Sequence, residues 1–335
     1  MKNKQQIQVL HVTHNDMDAV GCDIMVRLYC QEKLGIVADS EKIKTCWCNA
    51  AEASDIVIKE LEQLDKSTLY KLSSVFITDI SITCECAKKL EQLSEVYGFT
   101  LRLFDHHQTN QLHKEFRWCT VILDSPPISA TMILLNEFSE WINVDKYPGI
   151  RLFCEKVSRY DTWLWKKSPT DYSEENYSIL CKFYGAEAYS RRIVRNHFNT
   201  SFTEFDKIIL ERFKKNRDKD IFAYVNTAKI AFVPDGTLTI AYILYTGEHA
   251  NSVMEAIYEK YKDVDIVAGI IPQTRQLSFR TNKPFINVAE YAKKNYGGGG
   301  HASAAGAMWI DTERYLEILK EYYNYVGKRR DASEL

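Results

Sequence analysis

Asp105-His106-His107 follow the apolar-rich stretch Leu101-Arg102-Leu103-Phe104, and a strand there would deliver a carboxylate and two imidazoles to one sheet edge. Carboxylate oxygen and imidazole nitrogen together form the donor set of a borderline divalent cation such as Mn²⁺ or Zn²⁺. Alone, the triplet could be satisfied polar residues closing a strand. Three other acidic stretches give it weight: His14-Asn15-Asp16-Met17-Asp18, Asp79 directly after Ser74-Val75-Phe76-Ile77-Thr78, and Asp161 at the end of a helical pattern. Carboxylates at i and i+2 after a strand end can face one cation together or two adjacent cations separately. Asp16 and Asp18 would also serve as helix N-terminal residues, and the two roles are compatible. Asp161 is opposed by the dipole at a helix C-terminus, which a cation would offset.

The elements that must position these residues are legible. Ile7 to Thr13 reads as a strand and Asp18 to Tyr29 as a helix through Val20, Ile24, Met25 and Leu28, with Gly21 allowing close packing at the helix start. An amphipathic stretch from Ala51 to Leu64, the strand ending at Asp79 and the strand ending at Asp105 continue the alternation. A short strand near Thr120 to Leu123 and helices over Ser129 to Trp141 and Ile150 to Tyr160 follow. Alternating strand and helix predicts a doubly wound parallel sheet, whose ligands collect at the carboxyl ends of the strands. His14, Asp16, Asp79 and Asp105 should therefore converge. Converging carboxylates repel and lose hydration unless cations neutralise them, so the arrangement itself argues for metal.

From Gly185 to about Asn226 the chain is strongly charged, with Arg191, Arg192, Arg195, Arg212, Lys214, Lys215, Arg217 and Lys219 on two expected helices. A solvated helix face accounts for this better than phosphate steering. Strands are expected at Lys229 to Val233, Leu238 to Leu244, Val264 to Ile271 and Gln276 to Thr281, with helices at Asn251 to Tyr261 and Asn287 to Asn295. Then come Gly297-Gly298-Gly299-Gly300-His301 and the small residues to Gly306, read as a glycine loop followed by helix. Bare backbone N–H groups there could cradle a phosphate, although no Gly-Lys-Ser/Thr follows as in a P-loop. The predicted organisation is residues 1–184 as a metal-binding domain, 185–226 as a helical linker and 227–327 as a smaller α/β domain, with a cleft between the domains.

A chain of 335 residues suits two domains, and 45% hydrophobic with 26% charged residues is ordinary for a globular protein. The net charge of −2 provides no general attraction to polyanions and weighs against long duplex DNA as a partner. No signal-peptide pattern and no membrane-length apolar run are present, so the expectation is a cytoplasmic protein without a membrane partner. Nine cysteines lack C-x-x-C spacing and read as reduced thiols.

With His14-x-Asp16-x-Asp18, Asp79, Asp105-His106-His107, Asp161 and Gly298 to Gly306 in that order, the sequence resembles the DHH/DHHA1 phosphoesterase superfamily across almost its whole length. The short His14-to-Asp16 spacing and the glycine stretch resemble the nano-RNase and RecJ-like branch. Some branches place the first histidine four residues before the first aspartate, which keeps both His14 and His11 as candidates for that position. The resemblance implies an N-terminal DHH domain with two divalent ions, usually Mn²⁺ with Mg²⁺ or Co²⁺ as alternatives, and a DHHA1 domain that holds substrate. It implies His14 and Asp16 as ligands of one ion, Asp18, His106 and Asp161 of the other, and Asp79 as a bridge. Asp105 would orient ligands and His107 would address the phosphoryl group. Arg280, Gly298, Gly299, Gly300 and His301 would contact substrate phosphate or the terminal nucleotide. The implied activity is hydrolysis of short single-stranded oligonucleotides, chiefly oligoribonucleotides, to mononucleotides by a monomer or homodimer. Alternatives are a small phosphoesterase for a 3′,5′-bisphosphonucleotide or a dinucleotide, and a silent nucleic-acid-binding scaffold.

Overall fold

The computed structural model describes residues 7–107, 110, 112–123, 126–162, 164–167, 173–232, 238–247 and 249–308, and divides into two compact units between Leu210 and Glu211. In the first unit the order is β1 (Val9–Thr13), α1 (Met17–Leu34), β2 (Ile43–Trp47), α2 (Ala53–Glu62), α3 (Lys66–Leu69), β3 (Ser74–Thr78), α4 (Cys84–Tyr97), β4 (Thr100–Asp105) and β5 (Cys119–Val121). The five strands are all parallel and ordered β2-β1-β3-β4-β5. β1 and β3 are buried at every position, as strands covered on both faces must be. Alternation assigns Val75, Ile77, Leu101 and Leu103 to the layer that includes Val57, Leu61, Ala87 and Leu90. On the opposite face Phe76 and Phe104 meet Tyr29 and Phe138 edge-on.

The chain continues through α5 (Ala130–Glu137), α6 (Ile150–Asp161), α7 (Leu164–Lys167), α8 (Glu174–Tyr184), α9 (Ala186–Arg195) and α10 (Glu204–Thr227). α1 is the hub: it contacts α5, α6, α8 and α9, and every residue from Met17 to Cys30 is buried. Asp16 caps its start and Gly35, in the left-handed region with φ 65°, ends it. Its interior charges are paired, with Arg27 Nε donating to Asp23 at 2.8 Å. α9, in the stretch expected to bridge the domains, packs along α1, where Ser190 donates to Asp23 at 2.5 Å. The nearby arginines are ion-paired, Arg191 and Arg195 with Asp39 and Arg192 with Asp206.

The second unit contains the latter part of α10 and then β6 (Lys229–Phe232), β7 (Thr239–Leu244), α11 (Ala250–Lys260), β8 (Ile266–Ile271), β9 (Gln276–Arg280), α12 (Val288–Tyr296), β10 (Gly299–His301) and β11 (Ala304–Met308). Its mixed sheet runs β10-β11-β9-β8-β7-β6, and only β7 and β8 pair in parallel. β8 divides two cores by its period of two: Ile266, Ala268 and Ile270 join Phe279 and Val288, while Val267 and Ile271 join Val253 and Ile257.

The glycine stretch departs from expectation. It is a strand of a hairpin, and Ala304–Met308 is its antiparallel partner rather than a helix. The small side chains make this possible. A Cβ at Gly298 would lie 2.1 Å from the Gly306 carbonyl oxygen, and one at Gly300 would lie 2.6 Å from that of Ala304. Backbone pairing has overridden the helical propensity of the alanines.

Candidate metal centre

The strand order 2-1-3-4-5 has its switch point between β1 and β3, where ligands of doubly wound sheets collect. His14 and Asp16 follow β1, Asp79 follows β3, and Asp105 ends β4 with His106 and His107 beyond it. Asp16 is both cap and donor: Oδ1 accepts the Ala19 N–H at 3.1 Å and Oδ2 accepts His14 Nδ1–H at 2.8 Å. That bond raises the His14 imidazole above its ordinary range. Burial would raise Asp16, but the bond and charge of His14, the Ala19 N–H and Asp79 together outweigh it and hold the carboxyl below the usual range.

Asp18 is reached from a neighbouring helix. Its oxygens accept the Ala130 and Thr131 N–H groups at 2.8 and 3.0 Å, at the start of α5, and Oδ2 stands 3.8 Å from His106 Nε2. His106 Nε2 also lies 3.4 Å from Asp79 Oδ1 and 3.3 Å from Asp161 Oδ2. Asp79 sits in the left-handed region at φ 56°, held by its N–H on the Phe104 carbonyl at 2.9 Å. Three groups have donor atoms within 4.8 Å of one another: His14, Asp16 and Asp79; Asp18, His106 and Asp161; and Asp79, His106 and His107.

Two observations fit these donors to cations. Asp79 Oδ2 and His106 Nε2 are buried yet have no hydrogen-bond partner among the described residues. Burial, then the charges of Asp18, Asp16 and other carboxylates, pushes Asp79 well above the carboxylate range, and burial with Asp18 and Asp16 does the same to Asp161. Without positive charge the carboxylates cannot all ionise together. Mixed carboxylate and imidazole donors suit a divalent transition metal.

No family model matches the chain. Oligoribonuclease NrnB of Bacillus subtilis (strain 168) is 27% identical over 337 residues, which span 96% of this chain and 77% of the relative. The similarity to this oligoribonuclease thus runs through almost the whole chain. The solved structure of PggH from Vibrio cholerae, described as a pGpG-specific phosphodiesterase, shares the fold with a TM-score of 0.53 and 15% identity, over 95% of this chain and 99% of that one. Five parallel strands, a helical middle and a C-terminal mixed sheet are the α/β layout that the DHH/DHHA1 resemblance implies.

The DHH triplet divides its labour. Asp105 is fully buried and accepts the His106 N–H at 2.8 Å, the His107 N–H at 3.4 Å and His107 Nδ1–H at 2.7 Å. Asp105 therefore fixes the His107 ring, leaving Nε2 available, but touches His106 only through the backbone. Burial alone would raise Asp105, yet His107, Asn110 and the His106 N–H together bring its carboxyl below the usual range, and the bond to Asp105 raises His107. Asn110, absent from the sequence reading, donates to Asp105 Oδ2 at 2.7 Å. Its position depends on the loop after β4, which carries no periodic signal.

His11 does not join the cluster. It is fully buried, with Nδ1 3.2 Å from Asp23 and Nε2 2.8 Å from Thr78 Oγ1, so His14 is the histidine placed among the donors. In the second unit, Arg280, Ala304 and His301 are register partners across β9, β11 and β10. Arg280 is partly buried and bonds Ser278 Oγ and the Phe279 carbonyl, both at 3.0 Å. The His301 side chain lies outside the described residues. No helix among the described residues is long and apolar enough to cross a membrane.

Proposed function

We propose that the chain is a two-metal phosphodiesterase of the DHH type that hydrolyses short oligonucleotides, chiefly oligoribonucleotides, to mononucleotides. The observation that carries the reading is the pair of donor groups, His14-Asp16-Asp79 and Asp18-His106-Asp161, meeting at the β1/β3 switch point. Each is a mixed imidazole and carboxylate set, and Asp79 stands between them with an unpartnered oxygen. In this reading His14 and Asp16 hold one Mn²⁺, Asp18, His106 and Asp161 hold the second, and Asp79 serves both. Bound there, the ions would supply Lewis-acid activation of water and neutralise charge on the phosphate.

The chain's own residues do the rest. Asp105 holds His107 in one tautomer, so that Nε2 can meet a phosphoryl oxygen. Arg280, Gly298 to Gly300 and His301 take the substrate's phosphate or terminal nucleotide, an assignment supported by the resemblance and by the register that aligns Arg280 with His301. The name of the NrnB relative, an oligoribonuclease, supports the substrate class. A net charge of −2 offers no field to retain long strands.

The test is a length series of labelled RNA, from dinucleotide to twenty-mer, incubated with the purified chain and Mn²⁺ at one salt concentration. Rates should peak on oligomers of a few nucleotides. Equal rates on the twenty-mer and the dinucleotide would replace the reading with a long-strand exonuclease, and activity confined to bisphosphonucleotide would replace it with a small-molecule phosphatase.

A further inference from the structure

Beside the metal centre the first unit carries a groove of about 1130 Å³, lined by Asn15, Glu41 and Trp47 and by the Tyr184-to-Asn196 segment that ends α8 and forms α9. The volume slightly exceeds the roughly 300–1,000 Å³ of ordinary small-molecule sites. Asn15 stands between His14 and Asp16, whose donors belong to the metal cluster. Trp47 ends the neighbouring strand and is the register partner of Thr13, the residue before His14. The groove therefore begins at the backbone that presents two candidate ligands.

Charge decides what class of ligand fits. Arg191 and Arg195 share the Asp39 carboxylate, at 2.9 and 2.7 Å, and Arg192 holds Asp206 at 2.6 Å. Glu41 and Glu187 are the carboxylates of the lining itself. With the partner residues Asp39 and Asp206 counted, four carboxylates stand against three guanidiniums, and no net positive charge is left over for a phosphate. Aromatic surface and hydrogen-bond acceptors remain. Tyr184 is already engaged, with Arg192 over its ring at 4.8 Å and its hydroxyl donating to Asp206 at 2.8 Å. Trp47 packs on no other ring among the described residues, and its Nε1 has no partner among them.

We propose that this groove is a nucleobase subsite, in which Trp47 stacks the base next to the scissile phosphate and Glu41 and Glu187 favour guanine. Base stacking on an aromatic face is tolerant of sequence. Discrimination then comes from the edge, and a carboxylate accepts hydrogen bonds, which guanine offers from N1–H and the 2-amino group together. The inference rests on the oligonucleotide reading, since the base belongs to the nucleotide whose phosphate reaches the metal centre. It adds a specificity determinant within the first unit.

The experiment compares kcat/KM, on the full chain with Mn²⁺, for a guanine dinucleotide, an adenine dinucleotide and a dinucleotide made abasic at each position in turn. Trp47→Ala should reduce the ratio of guanine to abasic substrate about tenfold, the size of one lost stack. Trp47→Phe should recover most of it, which a merely folding role for the indole would not require at equal melting temperature. Glu41→Gln and Glu187→Gln should reduce the ratio of guanine to adenine. Calorimetric titration of GMP into the chelated protein separates the two readings, since it needs no turnover. GMP binding that depends on Trp47, in a protein that cleaves no oligomer, would uphold the subsite and sink the oligonucleotide reading. Cleavage with base ratios unchanged in Trp47→Ala would sink the subsite alone.

Discussion

His11 Nε2 lies 2.8 Å from Thr78 Oγ1, and Thr78 is the residue before Asp79. The other ring nitrogen faces Asp23 at 3.2 Å, whose carboxylate also accepts from Arg27 at 2.8 Å, Thr45 at 2.6 Å and Ser190 at 2.5 Å. This buried network ties β1, α1, β2, β3 and α9 together and reaches the candidate donors through Thr78, the neighbour of Asp79. Burial holds the His11 imidazole below the usual histidine range despite Asp23, so its role is that of a neutral hydrogen-bonding group. His11→Ala should lower stability by about 2–4 kcal/mol, from unmet partners and a cavity, while metal stoichiometry is retained. His14→Ala should do the reverse. Urea denaturation and metal analysis of both variants check this, and loss of one metal equivalent in His11→Ala would return that residue to the ligand set.

At Gly21 α1 packs tightly on α5. A Cβ there would lie 2.1 Å from Thr131 Oγ1, which donates to the Asp18 carbonyl at 2.7 Å. The contact also sets the distance over which Asp18 receives the α5 N–H groups. Gly21→Ala should cost about 1–3 kcal/mol by overpacking and weaken metal binding with it. The Gly21→Ala, Thr131→Ala double variant should cost less than the two single changes added together, measured by denaturant midpoint.

The two strands that end in chemistry, β3 and β4, were legible because apolar β-formers stop abruptly at an acidic residue. The strand β2 was not, since Lys44 and Thr45 interrupt its pattern at a sheet edge where every residue after Ile43 is only partly buried. Asp16, Asp18, Asp79 and Asp161 could be nominated from chain position alone. That Asp18 accepts from α5, or that Asn110 secures Asp105, depends on contacts between distant segments that no local period encodes. The Asp23–Arg27 pair did carry a signal, opposite charges four apart inside an otherwise apolar helix. The glycine stretch misled because alanine favours helix until a partner strand is available.

Metal addition should stabilise the protein by mass action, by about 2.7 kcal/mol at a hundred times the dissociation constant. Asp79→Asn should abolish most of that gain. In chelator the same variant should melt higher than wild type, because one of the crowded carboxylates is gone, and burial together with the charges of Asp18 and Asp16 pushes the Asp79 carboxyl well above the usual range. Thermal melts with and without Mn²⁺ measure both. A wild-type gain retained in Asp79→Asn would remove Asp79 from its bridging place.

Asp206 gives a pH signature away from the metal. Burial would raise its carboxyl, but Arg192, Thr203 and Tyr184 outweigh burial and bring it down to about 2. A carboxylate depressed in the folded state contributes stability above its unfolded pKa of about 3.9, and that contribution is lost as pH falls toward the folded value. Partial exposure of Arg192 limits it to about 1–2 kcal/mol. Wild type should exceed Asp206→Asn by that margin at pH 6, and the two should converge by about pH 2. A constant difference across the range would mean the carboxylate charge contributes nothing.

The Asp105–His107 pair separates positioning from ligation. His107 belongs to a donor group with Asp79 and His106, so geometry alone permits it as a ligand. Its Nδ1, however, is committed to Asp105 at 2.7 Å, and its side chain is about half exposed where His106 is largely enclosed. An exposed imidazole with a fixed tautomer is suited to meet an incoming phosphoryl oxygen. His107→Ala should therefore lower kcat by about 10²–10³ with metal content unchanged, the size of a lost transition-state contact. Asp105→Asn should keep the ring in place but permit the wrong tautomer, since an amide can donate to Nδ1 where a carboxylate only accepts. Its kcat should fall toward that of His107→Ala, and combining the two changes should add little, because one acts through the other. Metal analysis with single-turnover rates on a dinucleotide decides the matter. A missing metal equivalent in His107→Ala would make that histidine a ligand, and additive losses in the double variant would make Asp105 act independently of it.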